Sequence, residues 1–436
     1  MCPTRATPSS LPDSFRLAGG GLSLDPHDAS FFDNPYPAYS ALHAAGGIAK
    51  WDEIGAFAIA RHDLVTSILK DRRFSRVVAS DPDGRPDFSS KPTRLKAFYA
   101  LEAHSLLELE PPTHTRLRGL LTKAFVARRI ERLAPKIIAI ADSLIDRFRG
   151  QQTVDLIAAF ASPLPVLVIA DLIGVPVEAA DRLLDWSHRM VAMYTPGRTP
   201  DAEDAANAAA SEFAAFLGDV MIAKRLCPGD DLLSALIAAE DGGGKLDRDE
   251  LIGLVVLLLN AGHEATVHQI GNGLKTILEA DADPATLFPQ GAAAMATVEE
   301  LLRFDPPLHL FERYAHEAVE LPGGTRLERG DKVALLLGAA NRDPAVYGDP
   351  DSFKPQRFVQ RSTKPHTSFG GGIHFCIGAP LARLELRCAL SRLSARCPQL
   401  QITSAPQYRD SWHFHGVERL EVAVGTVNPA GPPAPE

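Results

Sequence analysis

Along most of the chain, apolar residues recur at intervals of three and four, which places them on one face of a helix. The spacing is clearest in four segments, residues 129–148, 212–226, 249–279 and 379–395. Strand-like stretches are few and short, at residues 57–60, 333–337 and 420–424. The pattern therefore predicts a mainly α fold with small β-sheets at the edge of a helical body.

Turn-rich breaks in this pattern fall at residues 196–200 and 241–245, but the composition does not shift across either of them. The chain also lacks an internal repeat at the periods of solenoids or propellers. We therefore expect one domain over residues 21–425. The ends are expected to be a flexible lead over residues 1–20 and a disordered Pro-rich tail over residues 426–436.

Composition and charge narrow the class of protein. The 436 residues are 45% hydrophobic and 23% charged, as in a folded globular enzyme. The formal net charge of −9 disfavours nucleic acid as a partner. The five cysteines are irregularly spaced without a C-x-x-C pair, so they suggest neither a disulfide framework nor a four-cysteine zinc site. A reducing compartment is indicated.

Export and membrane signals are missing from the pattern. The first 20 residues lack the basic region and apolar core of a secretory signal. The apolar runs at residues 156–170 and 251–259 are shorter than the roughly 20 residues that cross a bilayer. We therefore expect a cytoplasmic protein with no membrane partner.

The strongest chemical signal is a glycine-rich loop that runs from Phe369 through Cys376 to Gly378. Its glycines allow a tight turn and a close backbone approach. Pro380 then occupies a position that a first helical turn tolerates, so Cys376 lies just before a helix N-terminus. A helix start favours a thiolate, which is a ligand for iron. A phosphate-binding loop would instead end in Lys-Ser/Thr, which this loop lacks.

This loop resembles the haem loop of the cytochrome P450 family, Phe-Gly-x-Gly-x-His-x-Cys-x-Gly. Its fixed positions are all filled, by Phe369, Gly370, Gly372, His374, Cys376 and Gly378. The resemblance implies the cytochrome P450 fold and a soluble monooxygenase of the bacterial type. Haem b (iron protoporphyrin IX) would lie between a long central helix and the cysteine-loop helix. Cys376 would be the axial ligand of the haem iron, where a thiolate favours O–O cleavage.

A second motif of the family lies upstream. Glu300 and Arg303 are three residues apart on a predicted helix, an arrangement that many surface helices also have. The family joins this Glu-x-x-Arg pair to a later arginine, which Arg357 supplies. The resemblance implies a structural cluster of these three residues that locks the cysteine loop. The resemblance to the family extends over nearly the whole chain, from about residue 32 to 424.

Haem carries two propionates, and buried carboxylates need cationic donors. His114 and Arg118 are spaced to share a helical face and match the family's propionate-binding helix. Arg313 and His374 correspond to its other two donors. Each of these residues taken alone fits an exposed charge as well.

The predicted helix over residues 249–279 contains the sequence AGHEAT at residues 261–266. The resemblance places this helix across the distal haem face, where Ala261 leaves room for O2 and Glu264 is the acid. The family usually has a threonine, whose hydroxyl organises protons for O–O cleavage, where this chain has Ala265. Thr266 follows, but adjacent helical residues point about 100° apart, so it is no simple substitute.

We therefore expect the catalytic positions Glu264, Ala265 and Thr266 to depend on a substrate group or an ordered water. Poor coupling, or chemistry other than simple hydroxylation, would also explain the missing hydroxyl. Ala265 is in addition a good helix former, with no further meaning required.

The pocket that the resemblance implies is built from residues 80–107, 258–261, 308–311 and 412–414. We expect it to be lined by Asn260, Ala261, Leu308, Leu310 and Phe414. These segments are mostly apolar, which suits a small hydrophobic substrate. His309 and His413 either orient one polar group of the substrate or point to solvent.

The electron source is expected to be another protein, because the sequence has no Rossmann fingerprint, flavin segment or Cys-rich iron–sulfur run. A ferredoxin and an NAD(P)H-dependent ferredoxin reductase are implied. Basic residues near the expected docking side either receive the carrier or form a solvated face: Arg116, Lys123, Arg128 and Arg129. Two alternatives to the O2-dependent monooxygenase are a peroxide-driven haem-thiolate peroxygenase and a haem protein that binds a ligand without turnover.

Overall fold

The computed structural model describes residues 10–125, 127–195, 197–241, 246–280, 284–288, 292–359 and 362–430. The α-helices of these residues are α1 (Ala29–Asp33), α2 (Tyr36–Ala44), α3 (His62–Ile68), α4 (Lys96–Glu102), α5 (Thr113–Ala124), α6 (Ala127–Glu131), α7 (Ala134–Arg147), α8 (Pro163–Ile173), α9 (Ala180–Val191), α10 (Pro200–Leu226), α11 (Leu232–Asp241), α12 (Arg248–Glu279), α13 (Pro284–Leu287), α14 (Ala292–Phe304), α15 (Leu337–Ala340) and α16 (Ala379–Arg396).

The strands are short. They are β1 (Arg16–Ala18), β2 (Gly21–Ser23), β3 (Ile48–Trp51), β4 (Ala56–Ile59), β5 (Phe74–Ser75), β6 (Thr153–Asp155), β7 (Leu310–Ala315), β8 (Val319–Glu320), β9 (Arg326–Leu327), β10 (Lys332–Leu336), β11 (Gln401–Ile402), β12 (Gln407–Tyr408), β13 (Val417–Arg419) and β14 (Glu421–Ala423). The mainly α architecture predicted from the sequence is confirmed.

The core surrounds α12, and α8, α9, α14 and α16 pack against this helix. Its start is defined by a capping box, in which the Asp247 carboxylate accepts from the Glu250 N–H and the Glu250 carboxylate accepts from the Asp247 N–H. This reciprocal pair satisfies two N–H groups that a helix start otherwise leaves free. α12 is therefore the central helix of the core, and the residues of the site are positioned against it.

α12 is also long and apolar enough to cross a membrane, but 78% of its most apolar window is buried inside the protein. Burial against the surrounding helices accounts for its apolar composition. It is a core helix of the folded protein.

The largest sheet has the strand order β1-β2-β3-β4-β10-β7-β5. β10 pairs with β4 in parallel, Val333 opposite Phe57, and with β7 antiparallel, Val333 opposite Arg313. The other described strands form three small sheets, β11-β14-β6, β12-β13 and β8-β9, and the first of these joins β6 to two strands near the C-terminus. The pairing of β10 with β7 positions Arg313 for the site described below.

Several predicted boundaries are wrong. The helix expected over residues 129–148 is two helices, α6 and α7, because Pro135 occupies the first turn of α7 and cannot continue a helix from before it. The helix expected over residues 212–226 begins twelve residues earlier, at Pro200, where Thr199 caps it. The break expected at residues 241–245 lies largely outside the described residues.

The ends of the chain are more ordered than predicted. Within the expected flexible lead, β1 pairs with β2, and Phe15 is buried. Within the expected tail, the Asn428 N–H donates to the Arg396 carbonyl, and the Arg396 guanidinium donates to the Asn428 carbonyl. Residues 1–9 and 431–436 lie outside the described residues.

Candidate functional site

The cysteine loop connects the main sheet region to α16. Gly370 and Gly372 have φ values of 68° and 64°, a left-handed conformation that side chains rarely adopt. A Cβ at Gly372 would lie 2.0 Å from the Leu69 carbonyl oxygen, and one at Gly370 would lie 2.7 Å from the Phe311 ring. The glycines are therefore required both by backbone conformation and by space. They bring the loop round so that the Cys376 N–H donates to the Phe369 carbonyl at 3.0 Å.

Cys376 precedes α16, whose N-cap is Gly378. Burial raises the pKa of the Cys376 thiol, whereas the Gly378 and Ala379 backbone N–H groups and the Arg118 charge oppose that rise. The helix start thus favours the thiolate, as expected, but burial outweighs it in the protein alone. A metal cation bound to the sulfur would compensate for that burial.

His114 and His374 lie side by side, with ring centroids 4.6 Å apart. His114 is 1% exposed, yet neither of its ring nitrogens has a hydrogen-bond partner among the described residues. Nε2 of His374 also has no partner at hydrogen-bond distance there, although it lies 3.6 Å from the Glu110 carboxylate. Burial, followed by the charges of His374 and Arg118, lowers the pKa of His114 to about 4. Buried donors without acceptors are costly, so these two rings point to a missing acceptor.

Arg313 extends this group of donors from β7. Its guanidinium is buried and donates to the Glu312 carbonyl, and no ion pair of Arg313 occurs among the described residues. Burial, followed by the Arg76 charge, lowers its pKa to about 10. A cofactor that carries carboxylates would satisfy Arg313 and the two histidines together. The set fits haem, with its metal at Cys376 and its two propionates at these donors.

Arg118, the fourth predicted donor, lies one turn after His114 on α5. Its Nη2 donates to the Phe375 carbonyl at 2.5 Å. This bond ties α5 to the residue before Cys376. In the structure Arg118 therefore supports the cysteine loop, and its charge favours the thiolate.

One face of α12 is open where the rest of the helix is buried. Between residues 250 and 274, all side chains are buried except those at Leu257, Ala261, Gly262 and Ala265. Leu257, Ala261 and Ala265 are four residues apart, so they form one strip. Ala261 is exposed in the middle of the core helix, so this strip faces a space that the described side chains leave unfilled. Small residues keep that space open.

Thr266 points away from this strip. It is 7% exposed, and its hydroxyl donates to the Gly262 carbonyl at 3.1 Å, within its own helix. The hydroxyl is thus committed to the backbone of α12. This agrees with the expectation that Thr266 does not replace a hydroxyl at Ala265.

Glu264 is buried in a cluster of basic groups. Arg409 Nη1 donates to its Oε1 at 2.6 Å, and His268 Nε2 lies 3.3 Å from the same oxygen. Burial alone would raise the pKa of Glu264, but the interactions with His268 and Arg409 reverse this and hold it well below its usual range. The carboxylate is ionised and anchored. It does not lie free beside the open strip as a simple proton donor.

The Glu300 cluster is assembled as the motif implies. Glu300 and Arg303 are both 0% exposed and form a bidentate pair, with Nε–Oε2 at 2.7 Å and Nη2–Oε1 at 2.8 Å. Arg357 Nε lies 3.4 Å from the Glu300 carboxylate. Arg303 also donates to the carbonyls of Asn341 and Pro350. The cluster thus fastens α14 to the irregular segment before the cysteine loop.

The expected pocket residues are only partly brought together. Leu308 and Phe414 form an isolated β-bridge, and both are half-buried, as is Leu310 on β7. Asn260 is buried, with its amide nitrogen 3.7 Å from the sulfur of Met190 on α9, so its side chain packs between helices. Of the two pocket candidates on α12, Asn260 and Ala261, only Ala261 lies on the open strip.

One interpretation of His309 was that it faces the pocket and orients a polar group of the substrate. The structure does not place it there. It is 0% exposed, and its Nδ1 lies 2.9 Å from the Tyr39 hydroxyl.

Arg409, His268 and Glu110 were all missed as site residues. Arg409 lies 145 residues after Glu264, and nothing in its local sequence indicates the pairing.

Comparison with known proteins gives the class. A family model described as Cytochrome P450 matches residues 294–397. Cytochrome P450 107B1 of Saccharopolyspora erythraea is 39% identical over 85% of this chain and 90% of its own length. Polyketide biosynthesis cytochrome P450 PksS of Bacillus subtilis is 33% identical over 92% of this chain and 99% of its own length.

A solved structure of P450BioI, in complex with hexadec-9Z-enoic acid ligated acyl carrier protein, has a TM-score of 0.81 at 32% identity. It covers 91% of this chain and 99% of that chain. The chain belongs to the cytochrome P450 family. It is a haem-thiolate monooxygenase of the bacterial type.

Proposed function

We propose that this monooxygenase hydroxylates, or otherwise oxidises, a small hydrophobic metabolite of polyketide type in the cytoplasm. The observation that carries the proposal is the strip of Leu257, Ala261 and Ala265 on α12, which faces a space that the described side chains leave unfilled. Leu308 and Phe414, which form a β-bridge and are half-buried, are the apolar residues proposed for the wall of that space. A space of this kind accepts a hydrophobic ligand. The polyketide class is supported by the name of the relative PksS.

The cofactor proposed is haem b, whose bound iron supplies the oxygen chemistry. Cys376 would bind the iron, and His114, His374 and Arg313 would hold the carboxylates. Arg118 would keep the cysteine loop in place through the Phe375 carbonyl. Glu264 and Thr266 would act in proton delivery only through water, because Glu264 is held by Arg409 and the Thr266 hydroxyl is bonded to its own helix.

We also propose that electrons come from a separate ferredoxin and its NAD(P)H-dependent reductase. The expected basic docking face is weaker than the sequence suggested. Arg116 is paired with Glu250, and Arg129 lies 3.4 Å from Asp230, so both charges are partly neutralised. Lys123 is exposed, while the side chain of Arg128 lies outside the described residues.

The first test is spectroscopic. A library of macrolactones, fatty acids and steroids would be screened for ligands that shift the resting haem spectrum toward high spin. Macrolactones are expected to shift it at the lowest concentrations. A preference for fatty acids or steroids would contradict the polyketide class while leaving the monooxygenase intact.

The second test separates the electron source. Product formed with a surrogate ferredoxin, its reductase and NADPH would be compared with product formed with hydrogen peroxide alone. The ferredoxin route is expected to give more product. A peroxide-driven catalyst is the second candidate, favoured by the missing hydroxyl at Ala265, and a dominant peroxide route would establish it. Failure of both routes with a tight ligand would indicate binding without turnover.

A further inference from the structure

A group of potential metal ligands lies between α9 and α12. His188 Nε2 is 3.6 Å from Glu264 Oε2, and His263 Nδ1 is 3.7 Å from the same oxygen. The His188 and His263 ring centroids are 5.5 Å apart, and the three ligand atoms all lie within 4.8 Å of one another. Neither distance to the carboxylate is that of a normal hydrogen bond.

The two carboxylate oxygens of Glu264 have different surroundings. Oε1 is occupied by Arg409 at 2.6 Å and approached by His268 at 3.3 Å. Oε2 faces His188 and His263. One oxygen therefore anchors the carboxylate, and the other is available to a cation.

His263 provides an independent sign that something is missing. Its side chain is 1% exposed, and neither ring nitrogen has a hydrogen-bond partner of normal geometry. The Ser162 backbone carbonyl interacts with this ring outside that geometry. A metal-bound histidine commonly donates its other N–H to such a carbonyl. The ring is thus a buried ligand without a partner, directed at Glu264 Oε2.

We propose that His188, His263 and Glu264 form a binding site for a divalent transition-metal ion, with zinc as the ion that fits best. Zinc binds imidazole nitrogen at about 2.0–2.1 Å, which separates the ligand atoms of a tetrahedral site by about 3.4 Å. The observed 3.6 and 3.7 Å are close to this value, and the separation of the two histidine nitrogens, which is at most 4.8 Å, would close on binding. Water would complete the coordination, because the His188 side chain is 45% exposed and opens the site to solvent.

Arg409 and His268 limit the affinity. The Arg409 guanidinium pairs with the same carboxylate and repels an added cation, so binding is weaker than at a four-ligand structural site. Calcium and magnesium prefer oxygen ligands and do not match two imidazoles. The chemistry therefore selects zinc, or a neighbour such as cobalt or nickel, over the abundant hard cations.

The experiment uses the tag-free holoenzyme, equilibrium dialysis against zinc chloride and elemental analysis of zinc per haem iron. We expect one zinc ion per chain. Since His188 is exposed and makes no hydrogen bond that the core needs, His188→Ala should fold normally and bind zinc at least about tenfold more weakly. The matched control is His27→Ala, which removes an exposed histidine paired with Asp410 at 2.8 Å and should leave zinc binding unchanged.

Crystals soaked in zinc chloride provide the second measurement. Anomalous difference maps on either side of the zinc absorption edge should show a peak between His188 and His263, separate from the haem iron. Equal zinc binding by wild type and His188→Ala, or a peak only at other residues, overturns the proposal. Equal displacement of zinc by excess magnesium overturns the assignment to a transition metal.

A functional consequence rests on the proposed function. Zinc at this site would hold Glu264 Oε2 and link α9 to α12, so product formed per NADPH consumed should fall with added zinc in wild type. The fall should be smaller in His188→Ala. If zinc binds but coupling does not change, the site stands and this consequence is wrong. If no product forms under any condition, the proposed function fails while the dialysis result remains valid.

Discussion

At the scale of single residues, Cys376 shows how opposing effects meet at one atom. Burial disfavours its thiolate, and the N–H groups of Gly378 and Ala379, together with Arg118, favour it. The bound haem iron would supply the remaining stabilisation of the Cys376 thiolate.

Cys376→Ser should therefore abolish the haem-thiolate spectrum while the chain still folds. A serine hydroxyl fits the same space but ionises far less readily than a thiol. The measurement is the Soret band of the reduced carbon monoxide complex, which should lose its red-shifted thiolate position. Cys388→Ser, a change at a buried cysteine within α16, serves as the control and should keep that band. An unchanged spectrum in Cys376→Ser would show that Cys376 is not the ligand.

Ala265 leads to a prediction about coupling. It lies on the open strip of α12 and has no hydroxyl, while the Thr266 hydroxyl is bonded to Gly262. Proton delivery by a positioned group is typically worth about 10²- to 10⁴-fold in rate. We expect a polar group of the substrate to hold the water that this chain cannot hold itself. Ala265→Thr should then raise the product formed per NADPH consumed for nonpolar surrogates and help a polar substrate little.

The comparison requires both proteins with one polar and one nonpolar ligand. Ala265→Val is the matched control, because it adds similar bulk to the strip without a hydroxyl and should leave the product formed per NADPH consumed unimproved. Equal coupling of wild type with both ligands, together with no effect of Ala265→Thr, would rule out assistance by the substrate. The proton path would then run through fixed waters.

At the scale of elements, the Glu300 cluster joins α14 to the segment that leads into the cysteine loop. Both charges of the Glu300–Arg303 pair are fully buried, and Arg303 reaches two backbone carbonyls beyond its own helix. Removal of one member leaves the other charge buried without a partner. The arrangement is therefore sensitive to single substitutions in a way that surface pairs are not.

Glu300→Ala should lower the free energy of unfolding by about 3–5 kcal/mol and reduce haem incorporation. Glu328→Ala is the control. It breaks a pair with Arg326 in which the side chains are 62% and 71% exposed, so water reaches both and the loss should be smaller. The measurements are the ratio of haem to protein absorbance after purification and the Tm. Full haem loading in Glu300→Ala would show that the cluster contributes no more than an ordinary ion pair.

At the scale of the whole molecule, a buried carboxyl joins distant parts of the chain. Glu102 at the end of α4 accepts from the Tyr194 hydroxyl, just after α9, at 3.0 Å. Burial, followed by the Glu108 charge, raises the pKa of Glu102 to about 8, although Tyr194 and Arg76 oppose the rise. At neutral pH the folded protein therefore keeps Glu102 protonated, and the unfolded chain does not.

Because the folded state binds the extra proton, stability should fall as pH rises from the ordinary glutamate pKa of 4.5 toward 8. The slope contributed by this group is at most about 1.4 kcal/mol per pH unit. Glu102→Gln keeps a hydrogen-bonding side chain without the titration, so its Tm should exceed that of wild type increasingly as pH rises from about 5 to about 8. Glu320→Gln, at an exposed acid, is the control. A Tm difference independent of pH would contradict the raised pKa.

The features that the sequence determined by itself are local. The cysteine loop, α12 and α16 were predictable because their glycines, caps and apolar spacing act over a few neighbouring residues. The strands of the main sheet were mostly missed because they are two to six residues long, too short for alternation to show. Their partners also lie far apart in the chain, as β4 and β10 do.

Only the tertiary structure decided which groups meet across the chain. Arg409 reaches Glu264 from 145 residues away, and the unpartnered His114 and His374 become neighbours because α5 packs beside the cysteine loop. The tertiary structure also directs the Thr266 hydroxyl to the Gly262 carbonyl within α12 and buries His309 against Tyr39. Which side chains meet across the chain depends on the packed three-dimensional arrangement, and spacing along the chain does not specify those partners.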